Sequence, residues 1–284
     1  MKPQFLIGAV SSGSGKTLFT MGLLRMLNNH NLKVQPFKCG PNFMDAQLHY
    51  LASGVDSINL DLFMASRARL QVVYNSYGEK ADVCVMEGAA ALFDGYRRTY
   101  ASSADLSQIL SIPVVLIVNA RFAAYSVAPI LYGFKHFNPA VRIVGVIFNQ
   151  VSSPNHFSCL KRACNDAGFQ CLGYIPYDES LKLPVGHVAL TQSVKQELEV
   201  MIDKMACYIE EHVDVDRLIK STTRIFPCPY SLPYTSDIES GDFPFPINSR
   251  QRIAVARDAA FNFIYKENLD CLSREGNVQF FSPL

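Results

Sequence analysis

The sequence predicts an α/β protein built on an open parallel sheet with helices on both faces. Apolar runs of strand length alternate with helical patterns through the first 225 residues, and this alternation is typical of a parallel sheet. The runs are continuously apolar, as expected for strands buried on both faces. A glycine-rich loop containing Gly-Lys-Thr follows the first run and opens the first helix. The three observations together predict a sheet of the P-loop NTPase type.

Each predicted strand is one short apolar run. The runs cover residues 5–10, 32–37, 82–87, 113–119, 143–149 and 171–176. Helical patterns separate them and cover residues 16–28, 66–77, 104–110, 122–136, 155–167 and 192–212. In open parallel sheets, ligands bind outside the carboxyl ends of the strands. We therefore expect the functional residues where these runs end.

The composition and the helical pattern of the chain change after residue 225. Residues 226–248 contain five prolines and almost no helical pattern, which predicts a linker over 226–250 after a first domain of residues 1–225. A strand (252–256), a helix (261–275) and a second strand (278–284) follow. This unit is too small to bury both faces of its own strands. We predict that residues 251–284 begin a second α/β domain; the alternative is that these strands dock onto the first domain.

The bulk composition excludes several classes of protein. The 284 residues are 49% hydrophobic and 18% charged with a net charge of +1, and no basic run suggests a nucleic acid or an anionic membrane as partner. The apolar runs are too short for a signal peptide or a membrane span, so we expect a cytoplasmic protein. The eight cysteines form no C-x-x-C pair and indicate reduced thiols rather than a metal site or disulfides.

The loop "SSGSGKT" has the residues that a phosphate cradle needs. Its backbone N–H groups and the helix N-terminus bind phosphate oxygens, and glycines let the backbone approach the anion. We expect Lys16 to reach the β- and γ-phosphates of ATP and the Thr17 hydroxyl to ligate Mg²⁺. The alternative is a plain turn. The predicted nucleotide-binding residues of the loop are Ser12, Gly13, Ser14, Gly15, Lys16 and Thr17.

Three carboxylates come off the ends of predicted strands. Glu87 ends the run "DVCVME", Asp94 follows in the same loop, and Asp45 follows the second strand. An acid at the carboxyl end of a strand beside a P-loop can hold the metal, so Thr17, Asp45 and Glu87 are the predicted metal ligands. As alternatives, Glu87 is an exposed strand-end charge, Asp94 forms an Asp-Gly turn, and Asp45 caps a helix that runs toward Leu51.

Four further residues are candidates of a weaker kind. Asn149 ends the run "IVGVIFN", where its amide can pair with the edge of the adenine ring or satisfy turn backbone. Lys38 ends the second strand, near the expected place of a transferring phosphoryl group or an anionic substrate; the alternative is a solvated lysine. His49 and His187 have no partners at metal-ligand spacing, so we interpret both as structural.

A series of segments in chain order resembles the cobyrinic acid a,c-diamide synthase family, of the wider class that includes dethiobiotin synthetase. The segments are "SSGSGKT", "VQPFKCGPNFMD", "NLDLFM", "MEGAAALFDG", "PVVLIVNAR", "GFKHFNP", "GVIFNQVSSPNH", "LGYIP", "LPVGHVAL" and "RIAVARDAAFNFIYKENL…FFSPL". The resemblance runs from residue 5 to the last residue. The wider class shares the shifted glycine register of the P-loop, with Ala9 as a departure.

The resemblance implies ATP- and Mg²⁺-dependent amidation of the a and c side-chain carboxylates of cobyrinic or hydrogenobyrinic acid in cobalamin biosynthesis. Each carboxylate is activated as an acyl phosphate, and glutamine supplies ammonia through a C-terminal class I glutaminase domain with a cysteine nucleophile and a histidine. Asp45, Glu87 and Asp94 match acids of the synthetase site, with Lys38 added here as a catalytic candidate, and Asn149 matches the adenine-side asparagine. The wider class also suggests a homodimer.

Several departures from the family pattern keep other functions open. Asn42 and Asn119 stand where the family has acids, "LPVGHVAL" lacks the usual Glu-Arg pair, and the glutaminase cysteine and histidine are absent. We therefore expect a ligase that uses free ammonia or a glutaminase in trans. One alternative is a nucleotide-binding remnant without ligase activity. The other is a P-loop ATPase switch, whose early loop lysine is missing at Val10 and Ser11.

Overall fold

The computed structural model describes residues 1–183, 192–229, 251–258 and 260–284 of the chain. Its main sheet and the flanking helices comprise, in chain order, β1 (Lys2–Ala9), α1 (Lys16–Asn29), β2 (Val34–Cys39), α2 (Phe43–Ser53), β3 (Ile58–Leu60), α3 (Arg67–Gly78), β4 (Val83–Glu87), α4 (Ser103–Ile109), β5 (Val114–Asn119), α5 (Val127–Phe137), β6 (Ile143–Val151), α6 (Pro154–Asp166), β7 (Cys171–Pro176), α7 (Gln192–His212), α8 (Val215–Thr222) and β8 (Thr223–Arg224). They are followed by β9 (Arg252–Ala256), α9 (Lys266–Glu275) and β10 (Asn277–Phe281).

The main sheet has the strand order β3-β2-β4-β1-β5-β6-β7. All pairs along this path are parallel, and only the short β8 runs antiparallel, beside the start of β1. Buried residues form one core on each face of the sheet. The predicted fold class is therefore confirmed. β1 lies between β4 and β5, so the loop after β1 opens at the middle of the sheet's carboxyl edge.

Helix α1 packs between the sheet and α7, and this packing needs a small residue. A Cβ on Gly22 would lie 2.3 Å from Cγ of Met205, so any larger side chain would push the two helices apart. The apolar residues of α1 and α7 belong to the same core cluster. This close packing holds α1, and with it the loop that precedes it, firmly against the sheet.

Most predicted elements are confirmed within one or two residues, but the strand predicted over 5–10 begins at Lys2 and the strand predicted over 278–284 ends at Phe281. The helix predicted over 122–136 begins at Val127, because Pro129 lacks an N–H donor and is tolerated only in a first turn. The helix predicted over 261–275 begins at Lys266. Helix α2 corresponds to the helix toward Leu51 that the capping alternative for Asp45 predicts, and β3, α8 and β8 have no counterpart among the predicted strands and helices. Each is short or lacks a continuous apolar run.

The C-terminal unit pairs its two strands with each other. β9 and β10 form a separate two-stranded parallel sheet, while α9 contacts the main body. Glu267 accepts a hydrogen bond from Arg69 Nη2 at 2.6 Å, and Tyr265 stacks on Phe43 with ring centroids 4.7 Å apart. Thus the strands do not join the main sheet, although the helix packs on it. The division into domains stays a prediction.

The start of the predicted linker packs against α3. Asn75 receives a hydrogen bond from the backbone N–H of Cys228 at 2.9 Å and donates one to its carbonyl at 3.1 Å. The Cys228 side chain is buried. The main body thus includes residues 226–229, and the rest of the predicted linker, 230–250, lies outside the described residues. Within the described ranges, every helix falls short of the length and apolarity that a bilayer crossing requires.

Candidate nucleotide site

The glycine loop between β1 and α1 has a backbone that only glycine suits at two positions. Gly13 and Gly15 have φ angles of 74° and 90°, in the left-handed region that side chains disfavour. Gly15 is also crowded, because an added Cβ would lie 2.1 Å from Nδ2 of Asn149. The buried Ser14 hydroxyl donates to the Ser11 carbonyl at 2.7 Å. These contacts fix the loop in a curled shape.

The N-terminus of α1 is left open for an anion. Gly15 is its N-cap and offers no side chain, and the first turn contains no acidic residue. The first N–H groups of a helix lack intrahelical partners and carry partial positive charge. A phosphate group at this end would accept hydrogen bonds from these N–H groups.

Lys16 and Thr17 point toward the end of β4. The Lys16 ammonium donates to the Ala90 carbonyl, and burial lowers the pKa of Lys16 against the opposing effect of Glu87. The Thr17 hydroxyl donates to Oε1 of Glu87 at 2.7 Å. Both side chains are therefore turned toward protein oxygen atoms that surround the cavity where a triphosphate would lie.

Glu87 and Lys38 form the buried centre of the site. β2 and β4 are neighbours with Lys38 in register with Glu87, and the Lys38 ammonium lies 3.0 Å from Oε1 of Glu87. Lys38 also lies 2.6 Å from Oδ2 of Asp45 and donates to the Gly88 carbonyl at 3.1 Å. Lys38 is 3% exposed and Glu87 1%. The strand-end alternatives, an exposed Glu87 and a solvated Lys38, are thus not what the structure shows.

The pKa values of this cluster follow from burial and pairing. Burial alone would raise the pKa of Glu87, but the charge of Lys38 and the hydrogen bonds from His49 and Thr17 hold it well below its usual range. Burial would lower the pKa of Lys38, but Glu87 and Asp45 outweigh it and raise that pKa. The pKa of Asp45 is raised by burial and by the Glu87 charge, against the effect of Lys38.

The first turn of α2 places Asp45 at the cavity. Asn42 is the N-cap, and its side-chain oxygen accepts from the Asp45 N–H at 2.9 Å. The cap is therefore Asn42, and the alternative role of Asp45 as N-cap is wrong. The Asn42 amide nitrogen also donates to Oδ2 of Asp45 at 2.8 Å. The Asn42 side chain thus binds both the backbone N–H and the carboxylate of Asp45.

His49 is part of the site although the sequence indicated only a structural histidine. Its Nε2 lies 2.6 Å from Oε2 of Glu87, and its Nδ1 lies 2.9 Å from the Ser57 hydroxyl. The one signal in the sequence that could have found it is its spacing: it stands four residues after Asp45, on the same face of α2. His187 lies outside the described residues.

The other two predicted residues, Asn149 and Asp94, bond to backbone groups. Asn149 donates to the Ser14 carbonyl at 2.9 Å and accepts from the Gln150 N–H at 2.9 Å, so its amide supports the loop. Asp94 is exposed and its carboxylate accepts from the Ala91 N–H at 3.3 Å, as in its turn-forming alternative. An adenine contact for Asn149 and a catalytic role for Asp94 stay predictions.

A cavity of about 650 Å³ joins these groups. Its lining includes the glycine loop, Lys38, Asp45 and Glu87, together with Gln150, Pro176 and Tyr177. The guanidinium of Arg121, another lining residue, lies 4.6 Å from the ring centroid of Tyr177. Asn119 lies outside this lining and is exposed. The lining thus combines the charged cluster and the glycine loop with the ring of Tyr177.

These residues fit a magnesium nucleotide. The curled loop and open helix end match a phosphate group. The Thr17 hydroxyl and the carboxylates of Glu87 and Asp45 are hard oxygen ligands of the kind that Mg²⁺ prefers. Among the described residues, no group of three or more His, Cys, Asp or Glu side chains is arranged to hold a metal.

Comparison with known proteins decides the family. The family model described as CobQ/CobB/MinD/ParA nucleotide binding domain matches residues 5–188. The chain belongs to this family. Members of the CobQ/CobB/MinD/ParA family are nucleotide-binding domains by that description, which agrees with the geometry of the loop and the cavity.

Within the CobQ/CobB/MinD/ParA family, the chain is similar to proteins named cobyrinate a,c-diamide synthase. Identity is 38% over 290 residues with the protein of Listeria monocytogenes serotype 4b (strain F2365) and 34% over 285 residues with that of Saccharolobus solfataricus. Both alignments cover 99% of this chain and 62% of the relative, so the chain spans less than two thirds of their length. The predicted resemblance is confirmed.

A solved structure of chloroplast FtsY from Physcomitrella patens is a more distant match. Its TM-score is 0.45 at 14% identity, over 71% of this chain and 65% of that chain. That similarity is too low to carry an argument about the site, so the family assignment depends on the sequence comparisons alone.

Proposed function

We propose that this chain is the ATP-dependent synthetase part of a cobyrinate a,c-diamide synthase. It would amidate side-chain carboxylates of cobyrinic or hydrogenobyrinic acid with ATP and Mg²⁺. The observation that carries the proposal is the buried cluster of Lys38, Asp45 and Glu87 beside the glycine loop. The names and identities of the relatives support the choice of substrate.

The chemistry needs activation of the carboxylate, because ammonia cannot expel oxide from it. An oxygen of the substrate carboxylate attacks the γ-phosphorus of ATP, and the bond to the bridging oxygen breaks with departure of ADP. Ammonia then attacks the carbonyl carbon of the acyl phosphate, phosphate leaves with the electron pair of the C–O bond, and the nitrogen loses a proton. Charge stabilisation and positioning dominate such transfers.

The residues of the chain divide these tasks. The loop N–H groups and Lys16 bind the phosphates, and Thr17, Glu87 and Asp45 would hold Mg²⁺, which supplies charge neutralisation when bound. Lys38 is the cation nearest to both acids, and it would bind the carboxylate or the phosphoryl group during transfer. Tyr177 lines the same cavity, and its ring is the group that we propose for contact with the base.

Ammonia would come from a glutaminase acting in trans or would be taken up as free ammonia. The relatives are longer than this chain, and glutamine is the donor that the resemblance implies. Free ammonium at high concentration should replace it, because the synthetase reaction requires only the nucleophile. A homodimer and a cytoplasmic location remain part of this proposal.

The test combines purified protein with ATP, Mg²⁺, ammonium chloride and cobyrinic or hydrogenobyrinic acid. We expect ADP release that depends on the corrin, and a corrin product whose mass corresponds to conversion of a carboxylic acid to an amide. Lys16→Ala should abolish both signals, because it removes the phosphate-binding ammonium. A folded wild-type protein that shows neither signal with either corrin would refute the proposal.

One observation favours a second function, a nucleotide-binding protein without turnover. The Asn42 amide donates to Oδ2 of Asp45, a bond that the aspartate expected from the resemblance could not make. This bond competes for an oxygen assigned to Mg²⁺. If it impairs the site, Asn42→Asp will increase ADP release, whereas Asn42→Ser, which keeps a helix cap without an amide, separates loss of the amide bond from gain of charge.

A further inference from the structure

His49 lies behind the acid cluster and has no exposed surface. Both ring nitrogens have partners, Nε2 with Glu87 at 2.6 Å and Nδ1 with Ser57 at 2.9 Å. Neither His49 nor Ser57 lines the nucleotide cavity. A ring so placed cannot touch a ligand in the cavity, but it can act on one through Glu87.

The two oxygens of Glu87 have separate partners. Oε1 accepts from Thr17 at 2.7 Å and from Lys38 at 3.0 Å, on the side of the cavity. Oε2 contacts His49 only, among the contacts of the described residues. Because Oε2 is held inside the protein, the carboxylate can offer only Oε1 to a ligand. Without the ring N–H, the buried Oε2 would lack a partner, and the carboxylate would gain by rotating to find one.

Helix α2 gives the same contact a second effect. Asp45 and His49 stand one helical turn apart, so they lie on one face of α2. The bond from His49 therefore joins the helix that carries Asp45 to the strand that carries Glu87. Ser57, just before β3, fixes the ring from its other side. One ring thus sets both the orientation of Glu87 and the position of α2 beside it.

We propose that His49, supported by Ser57, is the positioning residue that presents a single oxygen of Glu87 to Mg²⁺ bound with nucleotide. The inference rests on the proposed function as far as Mg²⁺ and nucleotide are concerned. Partners that hold a metal-ligating carboxylate are known to matter for affinity: their loss typically weakens metal binding about 10- to 100-fold. Nucleotide binding without Mg²⁺ depends on the loop and Lys16 and should be indifferent to His49.

The experiment titrates Mg²⁺ into protein with a fluorescent, non-hydrolysable ATP analogue, so that no turnover is involved. Variants are His49→Leu, which removes both ring contacts, His49→Gln, whose amide N–H can still donate to Glu87, and Ser57→Ala. We expect His49→Leu to raise the half-saturating Mg²⁺ concentration about 10-fold or more. His49→Gln should bring the half-saturating Mg²⁺ concentration most of the way back to the wild-type value. The value for Ser57→Ala should lie between those of wild type and His49→Leu.

Two controls separate positioning from general destabilisation. Binding of the analogue in EDTA should be the same for all folded variants. Tyr74→Phe removes a buried hydrogen bond to Gln4, 3.0 Å long in the wild type and outside the cavity lining, and should leave the Mg²⁺ requirement unchanged. If His49→Leu does not fold, Ser57→Ala and His49→Gln carry the test.

Three results would overturn the inference. The first is a folded His49→Leu protein with the same half-saturating Mg²⁺ concentration as wild type or, where that variant does not fold, the same result for Ser57→Ala. The second is a His49→Gln protein whose half-saturating Mg²⁺ concentration is raised as much as that of His49→Leu. The third is a loss of analogue binding in EDTA that equals the loss in Mg²⁺. A wild-type protein that binds the analogue with no effect of Mg²⁺ would overturn both this inference and the assigned metal site. Wild-type dependence on Mg²⁺ with unaffected variants would overturn the role of His49 alone.

Discussion

Replacing Lys38 with methionine should destabilise the protein far more than loss of a surface charge. Methionine has a similar length without the ammonium, so the variant removes the partner of two acids while filling the same space. Breaking a buried ion pair by removing one partner typically costs about 3–5 kcal/mol, because the remaining charge is left uncompensated. An exposed pair contributes only about 0–1 kcal/mol, and Lys38 is 3% exposed.

The contacts that survive place the expected cost near the lower end of that range. Glu87 keeps its bonds from Thr17 and His49, and Asp45 keeps its bond from Asn42. We therefore expect Lys38→Met to lower the free energy of unfolding by about 3 kcal/mol. Adding Asp45→Asn to Lys38→Met removes one of the two like charges, so the double variant should regain part of that loss. The coupling between the two sites is then read from a double-mutant cycle.

Urea unfolding followed by far-UV circular dichroism at neutral pH measures the loss in Lys38→Met and the coupling between Lys38 and Asp45. Lys80 is exposed, so Lys80→Met is the matched control and should change the free energy of unfolding by less than about 0.5 kcal/mol. A Lys38→Met protein within about 1 kcal/mol of wild type would mean that the cluster is not the buried, mutually dependent arrangement described here.

Three further predictions concern the loop and the acid. Gly15→Ala should lower the free energy of unfolding by about 1–2 kcal/mol through its φ of 90° alone and abolish nucleotide binding, because its Cβ would displace Asn149; wild-type binding in a titration would contradict this. Asn149→Ala should cost about 1 kcal/mol in urea unfolding and weaken nucleotide binding even without Mg²⁺; an unchanged affinity would show that the Ser14 carbonyl needs no such donor. The pKa of Glu87 lies below its ordinary value of 4.5, so the stability that its charge contributes is complete above pH 4.5 and is lost as the pH falls further. The free energy of unfolding should therefore decrease less steeply with falling pH in Glu87→Gln than in wild type. Equal slopes would refute the assignment of Glu87 as a carboxylate with a lowered pKa.

The positions of the site residues follow largely from topology. Glu87 ends β4, Lys38 is the last residue but one of β2, and the glycine loop follows β1. Parallel strands bring their carboxyl ends to one edge, so a chain that marks its strands with continuous apolar runs also marks where its functional residues meet. The proximity of Lys38 to Glu87 additionally required β2 and β4 to be neighbours, which no local pattern indicates.

The bond from His49 to Glu87 could not be predicted, because it spans 38 residues of chain, and the spacing of His49 from Asp45 indicates only a shared face of α2. A single histidine on a short helix has no spacing signal for a carboxylate on another element. Asp94 shows the opposite case: it shares a loop with Glu87, yet the turn at Ala91 directs its carboxylate to a backbone N–H. Proximity in sequence to a site residue therefore predicted less than position at the end of a strand.

The pairing of Lys38 connects the structure to the order of events in the proposed reaction. In the protein alone, the ammonium of Lys38 pairs with both Asp45 and Glu87, and buried charges require such partners. Mg²⁺ arriving with nucleotide would neutralise the same acids, and Lys38 would then need another anion. In the proposed reaction, the anions available to Lys38 would be the substrate carboxylate and the γ-phosphoryl group. Lys38 would be held by the acids until the metal arrives, and the metal would release it. It would then bind the substrate carboxylate only once the nucleotide is in position. ATP use would therefore be limited to molecules ready for amidation.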